Sequence, residues 1–140
     1  MTIEKNRALI QRYFSVVSGA NTSVGIGDFF SPDVVWHVPQ SNPAIKPNPR
    51  VGHAAVMDLL SSGVGIYQPG SLEIQQQRLV ADESCVMAQF TLVAKLANGT
   101  DYKNDYIMLF SIARGKIDGV WEYLDTLYQW QLGTFENRGP

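Results

Sequence analysis

Apolar positions near the start of the chain repeat with a helical period. Ile3, Ile10, Tyr13, Phe14 and Val17 fall on one face of a 3.6-residue helix. Thr2 is placed to cap that helix and Gly19 to end it, so the spacing predicts a helix over residues 3–19. A short second helix is expected over 24–30, with Asp28 at its polar edge. Ser31-Pro32-Asp33 reads as a break. Val34-Val35-Trp36-His37-Val38 is β-branched and aromatic and reads as a strand. Residues 39–50 hold four prolines and no period. A loop of that length serves as a site wall, a lid or a stiff surface connection. Residues 52–62 read as a third helix, with Ala55, Val56, Leu59 and Leu60 apolar.

Beyond Pro69-Gly70 the pattern turns to strands, at 72–81, 85–96, 102–113 and 116–131. The connections are short: Asp82-Glu83-Ser84, Asn98-Gly99 and Arg114-Gly115. Asn-Gly is a strong hairpin signal because both residues tolerate positive φ. Strands joined in this way form an antiparallel meander, and long strands twist and curl. The expected fold is α+β: one domain over 1–140, a cone-shaped curled antiparallel sheet with three N-terminal helices across its open face.

Composition narrows the function. The 140 residues are 45% hydrophobic and 17% charged, enough for a core that encloses a small ligand. A net charge of −2 argues against a nucleic-acid binder. The one cysteine, Cys85, cannot bridge within the chain and reads as a buried small hydrophobe. No Cys/His spacing suits zinc, and no metal or cofactor is expected. The N-terminus is polar, not a signal peptide, and no apolar run approaches the roughly 20 residues of a membrane span. A cytoplasmic protein is expected. Gly25-Ile26-Gly27 and Gly63-Val64-Gly65 lack the context of a dinucleotide fingerprint and read as turns. No Gly-x-Ser-x-Gly elbow is present.

The order of elements, together with several short motifs, resembles the NTF2-like superfamily. The motifs are Ile10-Gln11-Arg12-Tyr13-Phe14, Val34-Val35-Trp36-His37-Val38-Pro39, Gly52 opening a helix, and Gly115-Lys116-Ile117 leading to Trp121-Glu122-Tyr123-Leu124-Asp125. Within it the chain is similar to the SnoaL-like branch, which includes steroid isomerases, polyketide cyclases, limonene-epoxide hydrolases and phenazine-biosynthesis proteins. The resemblance implies an acid/base isomerase, cyclase or condensing enzyme acting on a hydrophobic cyclic or aromatic molecule. The alternative is a binding or dimeric scaffold domain of the same shape.

Strand parity sorts the candidates. Val120, Glu122 and Leu124 share one face of the last strand; Trp121, Tyr123 and Asp125 share the other. Alternation alone does not choose between them. The resemblance implies that Glu122 is the acidic site residue, and burial would raise its pKa from about 4.3 into a range useful for proton transfer. Asp125 is expected to be structural. Tyr102, Asn104, Tyr106, Met108 and Phe110 form an amphipathic face suited to a pocket, and the resemblance implies a site role for Asn104 and Tyr106, with Met108 beside them.

By the epoxide-hydrolase pattern His37 would be a second acid/base, whereas His53 is expected to be exposed. Tyr13 could hydrogen-bond a substrate oxygen. Arg78 shares parity with Leu72 and Ile74 and would enter the pocket if the register is unbroken. The steroid-isomerase base would stand at Val38, and the epoxide-hydrolase Arg/Asp pair has no counterpart, so neither reaction is expected. Trp121, Tyr123, Leu127, Ile107 and Leu109 on the outer face suggest a homodimer.

Overall fold

The computed structural model describes residues 2–19, 25–64, 67–68 and 70–135; side chains at 62–64 are left aside. The first helix, α1 (Ile3–Val17), begins where Thr2 accepts a hydrogen bond from Lys5 N. It ends at Ser18, followed by Gly19 at φ +78°. Its stripe of Leu9, Ile10, Tyr13 and Phe14 is buried. The expected second helix is a single 3-10 turn, Ile26–Phe29; residue 24, where it was expected to begin, lies outside the described residues. Helix α2 (His53–Val64) runs slightly beyond the predicted end, so Gly63 and Val64 are helical rather than in a turn, and Gly65 lies outside the described residues.

The strands are β1 (Phe30–His37), β2 (Arg50–Val51), β3 (Glu73–Ala81), β4 (Cys85–Lys95), β5 (Asp101–Ala113) and β6 (Lys116–Leu124). They form one sheet in the order β2-β1-β6-β5-β4-β3. The meander β3 to β6 is antiparallel as expected, while β1 adds to β6 in parallel. Ser31-Pro32-Asp33 does not end the chain's extended course. It lies inside β1, where the pairing with β6 shifts between Phe30 and Val35; proline, lacking an N–H, is at home in such an irregularity.

The last predicted strand is half right. After Leu124 the chain turns into a short helix, α3 (Thr126–Gln131). Asp125 starts it by accepting the Tyr128 N–H at 2.9 Å, so Asp125 is structural, bound to backbone. An Asp at this position satisfies an orphan helix donor, and its loss is worth roughly 1 kcal/mol. Asp125→Ala should therefore lower unfolding free energy by about that much in chemical denaturation, and Asp125→Asn should restore most of it.

The core lies between α1, α2 and the concave face of the sheet. Phe110, Val120, Val86 and Ile10 are fully enclosed there. On the outer face Ile107 and Tyr123 are exposed as expected, but Leu109 and Trp121 are half-buried, and Leu127 is exposed on α3 rather than on the sheet. Cys85 is half-buried rather than buried. No described helix is long and apolar enough to cross a membrane.

Candidate active site

Under the helices the sheet encloses a cavity of about 390 Å³, within the size range of small-molecule sites. Helix α1 contributes Tyr13, Phe14, Val16 and Val17; α2 contributes Leu59 and Leu60. The sheet contributes Trp36, Ile74, Phe90, Leu92, Tyr106, Met108 and Glu122. The proline-rich segment is a wall. Asn42 and Ile45 line the cavity, and Asn42 Oδ1 accepts the Ala44 and Ile45 N–H groups. Asn48 clasps Val38 through two bonds, taking its N–H at 3.1 Å and donating to its carbonyl at 2.8 Å. None of the described lining residues is Lys, Arg or His.

Glu122 is the one carboxyl among those residues. It stands opposite Met108 in the β5–β6 ladder, on the inward face that also buries Val120. Its remaining exposed surface opens into the cavity, so it is enclosed by protein yet reachable by a ligand. Burial pushes its pKa from 4.5 up to about 7, opposed by one hydrogen bond from Trp36 Nε1 to Oε1 at 3.3 Å. Because that bond favours the carboxylate, Trp36→Phe should move the Glu122 titration to higher pH, as read by carboxyl NMR.

Tyr13 lines the cavity, gripped edge-on by Phe29, Phe30 and Phe110 at 5.5–5.8 Å between ring centres. Burial first, and the Glu122 charge second, hold its phenol protonated. Tyr106 and Met108 also line the cavity. Asn104 is buried but stands behind the wall, donating to Tyr102 Oη at 3.2 Å and to the Asp125 carbonyl at 3.0 Å.

Besides Asn104, two expected site residues are elsewhere. His37 does not line the cavity. In β1 the buried parity is Val34, Trp36 and Val38, so His37 lies on the opposite side. There it stacks on Trp121 at 4.6 Å, with Nδ1 3.0 Å from the Val120 carbonyl. That carbonyl can only accept, which makes Nδ1 the donor. Gly119 leaves room for the arrangement, since a Cβ there would sit 2.9 Å from the Trp121 ring. Arg78 is exposed. The β3–β4 register shifts between Gln76 and Arg78, and one extra residue reverses the parity, so Leu79 packs against the core instead. His53, expected to be exposed, is half-buried, its Nε2 2.9 Å from the Gly27 carbonyl.

Sequence reasoning missed Trp36, Tyr67 and Gln129. Trp36 could have been found from its parity with Val34 and Val38. Gln129 was hidden by reading a strand through Asp125, although Asp before an apolar stretch is a helix-start signal. Among the described residues no three His, Cys, Asp or Glu side chains cluster in a way that could hold a metal ion.

Comparison with known proteins agrees with this architecture. The family model for the SnoaL-like domain matches residues 10–120. A putative SnoaL-like polyketide cyclase from Jannaschia sp. CCS1 superposes with TM-score 0.76 at 15% identity, covering 98% of this chain and 94% of that one. An NTF2-like protein from Burkholderia xenovorans LB400 gives TM-score 0.73 at 20% identity, covering 94% and 98%. TerC, crystallised with polyporic acid, gives 0.78 at 19% identity, covering 91% and 97%. No protein among the curated sequences matches the chain. The matched family, the curled sheet and the neighbours agree: the chain belongs to the SnoaL-like family of the NTF2-like superfamily.

Proposed function

We propose that the protein is a cofactor-independent acid/base enzyme that isomerises, cyclises or condenses a hydrophobic small molecule held in the cavity. Glu122 carries the proton. The observation behind this reading is that one carboxyl opens into a mostly apolar chamber with its pKa raised to about 7, where it gives or takes a proton with equal ease near neutral pH. Trp36 fixes one carboxyl oxygen, which leaves the other for substrate. Aromatic walls from Tyr13, Phe14 and Phe90 suit a flat cyclic ligand, and the absence of a cation among the described lining residues suits one without negative charge. TerC, similar in fold, was crystallised with polyporic acid, which is in keeping with a small-molecule role.

The test is hydrogen–deuterium exchange at acidic C–H positions of hydrophobic cyclic compounds in D₂O. The protein should accelerate exchange, and Glu122→Gln should slow it about 100-fold or more while its circular dichroism is kept. Rates equal within a few-fold would remove Glu122 from catalysis.

A further inference from the structure

The two asparagines of the proline-rich wall use their amides differently. Asn48 both accepts from and donates to the Val38 backbone. Asn42 engages only one end of its amide. Its Oδ1 accepts the Ala44 N–H at 2.9 Å and the Ile45 N–H at 3.1 Å. A backbone N–H can only donate, so the atom that faces both is the oxygen, and the opposite end of the amide is the NH₂ group. No described group accepts from Nδ2, and the atom is not sealed in protein, so it opens onto the space that Asn42 lines.

This donor is held in place. The Asn42 N–H donates to the Pro39 carbonyl at 3.0 Å. Three residues on, Ile45 is buried and lines the same cavity. Asn48 then ties the segment back to Val38. The pairing of β1 with β6 runs as far as His37 and Trp121, and the next residues along the two chains are Val38 and Glu122. The turn that carries Asn42 is thus anchored beside the strand position of the carboxyl. A donor without a protein partner on an apolar wall favours whatever offers it an acceptor. Water can serve, but a hydrocarbon that displaces water leaves the N–H groups unpaired, whereas an oxygen in the same place restores the bond. Because the amide is already oriented, little is lost in ordering it when a ligand arrives.

We infer that Asn42 Nδ2 is the hydrogen-bond donor by which the cavity wall recognises an acceptor oxygen, such as a ketone carbonyl, on a neutral hydrophobic ligand. The inference rests on the reading of the cavity as a hydrophobic small-molecule site and deepens it by naming the group recognised.

Two probes test it by calorimetry: 2-acetylnaphthalene, and 2-isopropenylnaphthalene, in which a CH₂ replaces the carbonyl oxygen. The hydrocarbon-to-ketone ratio of Kd in the wild-type protein is the reference, and comparing that ratio between variants cancels the different hydration of the probes. Asn42→Asp keeps an acceptor for the Ala44 and Ile45 N–H groups but presents an oxygen where the NH₂ stood. The ratio should fall about tenfold, with hydrocarbon binding kept. Asn42→Ser is neutral, can hold the turn through its hydroxyl and lacks the amide. It should lower the ratio similarly, which separates loss of the donor from gain of a charge, and it decides the matter if the Asp variant fails to fold. Glu122→Gln should leave the ratio within twofold. An unchanged ratio in Asn42→Ser overturns the inference, whatever the Asp variant does, and leaves Glu122's role intact. A ratio that collapses only in Glu122→Gln assigns the oxygen to the carboxyl instead. Failure of both probes to bind the wild-type protein removes the hydrophobic-ligand reading and the inference with it.

Discussion

Glu122→Gln should be more stable than the wild-type protein at pH 8 and should lose most of the wild type's pH dependence between pH 5 and 8. The sign follows from linkage. The Glu122 pKa is about 7 when folded, against 4.5 for the free side chain. Between those values the folded state binds more protons than the unfolded state, so stability falls as pH rises. The favourable contribution is complete below about pH 4.5 and is gone once the pH has passed about 7. With 1.36 kcal/mol per unit, the loss is roughly 3 kcal/mol, or on the order of 10 °C in Tm for a chain of this length. Glutamine cannot ionise, so its unfolding curve lacks this slope. The exposed Asp82 carboxyl does not confuse the reading. Its pKa is held below the ordinary 3.8, first by the Ser84 N–H, so it titrates beneath this window. Thermal unfolding at pH 5, 6, 7 and 8 checks the prediction; parallel slopes for the two proteins would contradict it.

Phe110→Ala should cost roughly 3–5 kcal/mol, the range for emptying a large aromatic site in a packed core. Phe110 is fully buried in β5 between Val86 of β4 and Val120 of β6. Its ring meets Tyr13 at 5.8 Å and Phe14 at 6.0 Å, so with Phe90, 5.1 Å from Phe14, it is one of the contacts through which the sheet holds α1 in place. The same helix walls the cavity. Loss of the ring should therefore shift the urea midpoint downward with little change in slope, and should weaken any cavity ligand in parallel. A change below about 1 kcal/mol would show that α1 is anchored elsewhere.

The sequence carried the elements that periodicity can mark. Alternation along β5 correctly placed Tyr102, Asn104, Tyr106, Met108 and Phe110 on one buried face, because no bulge interrupts that strand's pairing with β4. Parity failed where a bulge added a residue, as at Arg78, since one extra residue exchanges the two faces. His37 shows a different limit. The parity of β1 was read correctly, but the face was chosen by resemblance, and a relative's pattern does not fix which side of a strand a given chain buries. Asp125 illustrates a third. The apolar run of 126–131 fits strand and helix equally well, and the cap decides. Glu122 was legible as a candidate only through the family motif. Its bond to Trp36 spans 86 residues, a distance over which sequence pattern carries no register. The contact between the Tyr67 and Tyr102 rings was hidden for the same reason, since it forms only after the sheet has curled.

The central claim is that one carboxyl, opening into an apolar chamber, changes its charge near neutral pH. Its most direct measurement is the pH titration of the Glu122 side-chain carboxyl by ¹³C NMR, assigned by difference against Glu122→Gln. A midpoint near 7 is the predicted result. A midpoint near the free value of 4.5 would contradict the account, for it would mean a carboxyl in contact with water rather than one held ready for proton transfer.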